Sequence, residues 1–168
     1  MLPVVGLWAF GDILGEPADL DRVQVAVVVD LPVEEVPWLD LPRGAQHWSM
    51  AKQLKEPLIG YWRSAAGPVW NHVISRPALV WDAAEGVRED TLAALRDGRG
   101  AEVRADAPAA SELRAQVEAE LAVSLRALRH QHRAYDDKRW RPGKLEPYAD
   151  SLWRAADGYL DLLDAVRD

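Results

Sequence analysis

The chain has 168 residues, a length that suits one domain and allows about 70 % of the unfolded surface to be buried. It contains no cysteine, which excludes disulfides, thiolate metal sites and cysteine nucleophiles. Its net charge of −7 would repel a phosphate backbone and disfavours nucleic-acid binding. Because there is no signal peptide and no apolar run near the ~20 residues that span a membrane, we expect a cytoplasmic protein without a membrane segment.

Four apolar runs in the first half of the sequence predict β-strands. Val4–Phe10 is rich in β-branched and aromatic residues and is closed by Gly11. Val23–Val29 carries apolar residues on both faces, which is typical of a central strand. Val69–Ile74 and Ala78–Trp81 are interrupted by Arg76-Pro77, so they predict two strands or one bent strand.

The same half also contains helical signals and a proline-rich connection. Residues 31–43 hold three prolines and predict an ordered connection anchored by Trp38. From Gly44 to Ala65 the apolar residues recur at helical spacing, and Pro57 in the middle predicts two short helices. Val87–Arg96 predicts a further short helix that is stopped by the following glycines.

The last third of the chain predicts an antiparallel helix hairpin over residues 111–167. Apolar residues step by three or four from Leu113 to Tyr135, and a second stripe runs from Tyr148 to Val166 after Pro147. We therefore predict an α+β or α/β fold over a single domain, 1–168. Its mixed sheet of three to five strands would lie within residues 1–100, with the hairpin on or beside it.

A set of carboxylates near the predicted central strand is the first candidate for chemistry. Asp19 and Asp21 precede the strand Val23–Val29, and Asp82 ends a later strand. Two carboxylates two residues apart in extended chain point to the same side, which suits oxygen ligation of a divalent cation. Asp82 would supply a third ligand from a neighbouring strand.

The order strand, Gly11-Asp12 turn, Asp19-Leu-Asp21, strand resembles the nucleotidyltransferase fold, whose small members add helices at the C-terminus. The resemblance implies that Asp19 and Asp21 hold Mg²⁺, that Asp82 assists, and that the turn at Gly11 and Asp12 lies beside a nucleoside triphosphate. Asp12 replaces the serine of that family, and its negative charge would repel phosphate. The sequence therefore predicts a nucleotidyltransferase-like protein that is degenerate or non-catalytic.

A second resemblance covers nearly the whole chain. The segments that carry it are Leu7-Trp-Ala-Phe-Gly-Asp-Ile-Leu14, Val36-Pro-Trp38, Ala45-Gln-His-Trp48, Pro68-Val-Trp-Asn-His72, Arg76-Pro77, Val80-Trp-Asp82 and Arg139-Trp-Arg-Pro-Gly-Lys-Leu-Glu-Pro147. They resemble an uncharacterised family of bacterial proteins, a domain of unknown function. This resemblance implies relatives without an assigned mechanism, and members that often carry an additional N-terminal helix. Either such a helix is missing from this chain, or later helices take its place against the first strand.

The basic and aromatic run Lys138-Arg-Trp-Arg141, followed by Lys144, supports a rival hypothesis. Its arginines could contact a phosphate or an acidic partner, which favours a non-enzymatic protein-interaction module with a Trp/Arg-rich surface. Alternatively, Arg139 and Arg141 balance the acidic excess of the chain while Trp140 plugs the end of the hairpin. The partner itself cannot be read from the sequence.

Overall fold

The computed structural model describes residues 2–167. In chain order the elements are β1 (Val4–Phe10), β2 (Val23–Val29), α1 (Ala45–Ala51), β3 (Leu58–Ser64), β4 (Ala78–Asp82), β5 (Gly86–Val87), α2 (Glu89–Arg96), α3 (Ala110–Arg139) and α4 (Glu146–Arg167). Short 3-10 helices lie at Gly11–Leu14, Val33–Glu35 and Gly100–Val103. No helix within these described residues has an apolar stretch long enough to cross a membrane.

The sheet is mixed and five-stranded, in the order β3-β2-β1-β4-β5. Strands β2 and β3 pair in parallel, and the other three neighbouring pairs are antiparallel. The α+β prediction, the mixed sheet and the packed C-terminal helices are thereby confirmed. The bounds predicted for β1 and β2 also agree with the structure, because a run of valines and aromatics leaves little doubt between strand and helix.

The prediction of two helices between Gly44 and Ala65 is half wrong. Helix α1 forms, but the second half of this segment is strand β3, paired residue for residue with β2. The spacing of apolar residues in β3 fits a helix as well as a strand. Because parallel strands are not joined by a short hairpin turn, the sequence next to β3 also lacks the turn residues that would indicate a strand. Gly60 in β3 packs closely under Leu54, since a Cβ there would lie 2.6 Å from Leu54 Cδ2 and that side chain would have to move.

The strand predicted at Val69–Ile74 is likewise wrong, and these residues form an irregular loop. Asn71 is the cause: its side-chain oxygen accepts hydrogen bonds from the backbone N–H groups of Val73 and Ile74, both at 2.9 Å. A short polar side chain that satisfies its own backbone in this way competes with sheet pairing.

The two faces of the sheet are covered by helices of very different length. One face packs Phe10 and Ala26 against Val117 of α3 and Leu162 of α4. The opposite face carries Val27, Val29 and Trp62 next to α1, and the pair Ala9–Ala78 next to α2. Because α1 has seven residues and α2 eight, this second face is covered at its two sides and less completely between them.

Helix α4 approaches the connection 31–43 unusually closely. Gly158 lies on this contact, and a Cβ at that position would be 2.0 Å from the carbonyl oxygen of Trp38. Nearby, Arg154 Nε donates to Asp40 Oδ1 at 3.3 Å. The connection is thus ordered around Trp38, which is 3 % exposed, as the sequence predicted.

Replacing Gly158 by alanine tests this close approach. Alanine raises helix propensity by about 1 kcal/mol, so on an unconstrained helix it would stabilise the protein. Here we expect Gly158→Ala to lower the free energy of unfolding by about 2 kcal/mol, because the methyl group must displace backbone.

Urea unfolding followed by far-UV circular dichroism measures this difference. Asp157→Ala, at the neighbouring exposed position of α4, is the control and should change stability by less than about 0.5 kcal/mol. A Gly158→Ala protein as stable as the wild type would contradict the packing described.

Candidate functional site

The predicted metal-binding pair, Asp19 and Asp21, lies in the loop before β2. Both residues are exposed, and neither lies in a helix or strand. This is the end of the sheet at which β2 begins, since Phe10 of β1 pairs there with Gln24. The loop therefore places the two carboxylates beside solvent.

The third predicted acid, Asp82, lies at the other end of the sheet. It pairs with Gly6 of β1, and Gly6 pairs in turn with Val28 near the end of β2. Asp82 is thus level with Val28, whereas Asp19 and Asp21 lie just before Val23. These two positions are five residues apart along β2, which is roughly 17 Å at 3.3 Å per residue. Carboxylates that share a metal must bring their oxygens within about 2.5 Å of one ion, so the structure does not bring Asp82 together with Asp19 and Asp21.

Asp82 is engaged by its own turn. Its Oδ1 accepts hydrogen bonds from the backbone N–H groups of Ala84 at 2.9 Å and Glu85 at 2.8 Å. Arg88 pairs with its Oδ2 at 3.0 Å. The Glu85 N–H first, and then the Ala84 N–H and the Arg88 guanidinium, hold the pKa of the Asp82 carboxyl below its ordinary value of 3.8, against an opposing effect of partial burial.

The pH dependence of stability tests this assignment of Asp82. A carboxyl whose pKa is lowered on folding stabilises the protein above the unfolded pKa, and this contribution is lost as the pH falls through the folded pKa. We therefore expect Asp82→Asn to be less stable than the wild type near neutral pH, with the difference shrinking as the pH falls below 3.8.

Urea unfolding at a series of pH values provides the comparison. Arg88→Gln removes one of the three groups that favour the ionised carboxyl and should show a smaller difference of the same sign. A wild-type advantage over Asp82→Asn that stays constant from neutral to acidic pH would rule the capping role out.

The turn predicted to lie beside a triphosphate is a single 3-10 turn. Gly11 has φ of +74°, so its backbone conformation favours glycine, and a Cβ on it would also require the Gln24 side chain to move. Asp12 follows on the exposed side of this turn. Within residues 2–167 no group of three or more acidic, histidine or cysteine side chains is arranged to hold a metal ion.

The most catalytic-looking pair in the structure was not singled out by the sequence. His72 Nε2 lies 2.7 Å from Asp161 Oδ2, and Trp38 Nε1 donates to the same oxygen at 2.6 Å. Because that oxygen is an acceptor, His72 must carry its proton on Nε2, and Nδ1 is buried without a partner among the described residues.

The surroundings of this histidine are aromatic. The His72 and Trp38 rings meet edge-on at 5.6 Å, and Trp38 stacks on Tyr61 at 5.7 Å. The Asp161 carboxylate therefore ties α4 to the loop 69–74 and the connection 31–43. His72 and Asp161 are 89 residues apart in the sequence, so no local sequence pattern predicts their contact.

A second polar cluster docks α3. Arg63 of β3, whose side chain is 6 % exposed, pairs with Glu120 at 2.5 Å. It also donates to the carbonyl oxygens of Pro68 and Trp70, while Asn71 Nδ2 donates to the other Glu120 oxygen at 3.1 Å. Each charge is thus hydrogen-bonded to several partners, as a buried ion pair requires. Both clusters hold elements together. Arg63 and Glu120 line a cavity of only about 40 Å³, and the Asp161 side chain is 41 % exposed at the edge of the other cluster.

The end of the helix hairpin differs from these buried clusters because it is exposed. We define the hairpin tip as residues 138–148, which span the end of α3, the connecting loop and the start of α4. Trp140 is 74 % exposed, with the Arg139 guanidinium 4.5 Å above its ring. Lys138 lies over the Tyr148 ring at 5.9 Å. The alternative in which Trp140 plugs the hairpin end is therefore wrong, because the ring lies outside rather than between the helices.

The whole chain, residues 1–168, matches the model of one protein family, described as Domain of unknown function (DUF7711). No curated protein matches the chain, and no solved structure does.

Proposed function

Because the chain belongs to the DUF7711 family, whose description carries no activity, we propose a function from geometry: the protein is a non-enzymatic interaction module that contacts an acidic protein surface through its hairpin tip. The observation that carries the proposal is the exposure of Trp140, at 74 %, beside a stacked arginine. Tryptophan, tyrosine and arginine supply most of the binding energy at protein interfaces.

The charge of the tip indicates the chemistry of the partner. The hairpin tip contains four basic side chains, at positions 138, 139, 141 and 144, and one acidic side chain, Glu146, in a chain whose net charge is −7. Arg139 is paired with Asp136, which leaves Arg141 and Lys144, both exposed, free to meet carboxylates of another protein. A partner surface with acidic residues around an apolar site would match this pattern, and the charges would also speed association.

Site-specific photocrosslinking tests the proposal in cells of the source organism. A benzophenone amino acid at position 140 or 148 should give the same discrete protein adduct, because both positions lie on the hairpin tip. The reversals Arg141→Glu and Lys144→Glu should weaken that adduct by about tenfold, since each replaces an attraction by a repulsion.

Position 50 is the matched control for exposure. Met50 on α1 is 77 % exposed, close to the value for Trp140, and it lies outside the hairpin tip. The proposal fails if the tip positions give no discrete adduct, or if position 50 gives the same one and charge reversal leaves it unchanged.

The nucleotidyltransferase interpretation stays a prediction, and ligand-induced stabilisation examines it. A ligand at a hundred times its dissociation constant would add ~2.7 kcal/mol to the free energy of unfolding. We expect Mg²⁺ with ATP to leave the melting temperature unchanged, because Asp82 is held in its own turn and far from the acidic loop. A rise in melting temperature that Asp19→Asn and Asp21→Asn both abolish would favour the enzyme instead.

A further inference from the structure

A long apolar trough lies on the sheet face that α1 and α2 cover incompletely. One row of paired residues crosses four strands on this face: Trp62, Val27, Leu7 and Trp81. The indole of Trp48 on α1 meets Trp62 edge-on at 5.7 Å and covers that end of the row. At the other end, Leu7 and Trp81 line an open cavity of about 530 Å³ together with Val25, Leu54 and Leu58.

A second cavity of about 680 Å³ continues the first. The two share Leu2, Trp48 and Lys52 in their walls, so they adjoin at α1, and we refer to them together as the trough. Each volume lies in the range of small-molecule sites, which are lined mainly by apolar and aromatic side chains with a few polar groups.

The charge within the trough is concentrated at one place. Of the eleven described residues that line the first cavity, Lys52 is the one with a charge, and it follows the last residue of α1. In the adjoining cavity Arg43 joins Lys52, opposed by Glu35. An acidic protein thus presents a local positive charge where its apolar trough passes α1.

We propose that this trough binds an aliphatic chain that ends in a carboxylate, as in a fatty acid. The chain lies against Leu7, Val25 and Trp81, where it removes apolar surface from water. The carboxylate lies at the Lys52 ammonium, where Arg43 adds a second positive charge nearby. This site is on the sheet and is independent of the hairpin tip.

Calorimetric titration of the full chain with three amphiphiles of equal chain length tests the proposal, with the two ionic ones below their micelle concentrations and the alcohol below its solubility limit. Dodecanoate should bind one molecule per chain. Dodecanol, without the charge, should bind about tenfold more weakly, and dodecyltrimethylammonium more weakly still. The proposal is overturned if none of the three binds, or if all three bind alike.

Two pairs of variants separate the site from nonspecific binding. Lys52→Glu should weaken dodecanoate about tenfold, while Lys144→Glu makes the same charge change at the hairpin tip and should leave the affinity unchanged. Leu58→Glu puts a carboxylate into the trough and should also weaken binding at least about tenfold. Leu92→Glu on α2 is its control, because Leu58 and Leu92 are each 38 % exposed and only Leu58 lines the cavity.

A second copy of the chain is the competing occupant, and sedimentation of the ligand-free protein distinguishes it. Under the proposal the sedimentation coefficient is independent of protein concentration, and Leu58→Glu does not alter it. A concentration-dependent dimer that Leu58→Glu dissociates would overturn the proposal and make the trough a self-association surface.

Discussion

The close approach of α4 to the connection between β2 and α1 is the constraint on which the rest of the arrangement depends. Gly158 lets the helix backbone reach the Trp38 carbonyl, and the Asp161 carboxylate one turn later accepts hydrogen bonds from the Trp38 indole and from His72. A single oxygen therefore fixes three segments that are remote in sequence. A larger residue at 158, or the loss of the carboxylate at 161, would disturb the sheet as well, since Trp38 also stacks on Tyr61 of β3.

The polar residues of the interior serve assembly, and this determines where a function can be sought. Arg63 and Asn71 both donate to Glu120, and Arg63 also donates to two backbone carbonyls, which fixes the position of α3 on the sheet. Arg63 Nε is left as a buried N–H without a partner among the described residues. Asp82 is similarly engaged by its turn and by Arg88. The groups that remain available are on surfaces: exposed aromatics beside basic side chains at the hairpin tip, and the apolar trough beside Lys52. Both surfaces are suited to binding.

Sequence reasoning found those parts of the fold whose signal is local. The valine-rich runs of β1 and β2 and the long apolar stripes of α3 and α4 each carry their own periodicity, so they were predicted with nearly correct bounds. Strand β3 was missed because its apolar spacing suits a helix equally and its partner lies across a parallel crossover. The loop at Asn71 was predicted as a strand because its residue types favour a strand. The Asn71 side chain accepts the backbone hydrogen bonds that a neighbouring strand would otherwise accept, and the residue types do not reveal this.

The candidate sites likewise divide into features with a local signal in the sequence and features that are set by the tertiary structure. Composition identified the basic and aromatic run at 138–144, but whether Trp140 lies between the helices or outside them depends on how the hairpin closes. The contact between Asp161 and His72 and the row from Trp62 to Trp81 both depend on strand order, which the sequence does not encode locally. The acidic residues were grouped by a resemblance in the order of motifs along the sequence, and the register of the strands separates Asp82 from the others.

The position of β1 at the centre of the sheet has a consequence for the order of folding. Its partner β2 follows at once in sequence, whereas its other partner β4 arrives nearly half the chain later, because Gly6 pairs with Asp82. The antiparallel pair α3–α4 needs one short connection and can form by itself at an early stage. Closing the long loop to β4 costs more chain entropy than either of these steps. The sheet is therefore completed late, and a preformed helix pair can act as the surface on which β4 and β1 find their register.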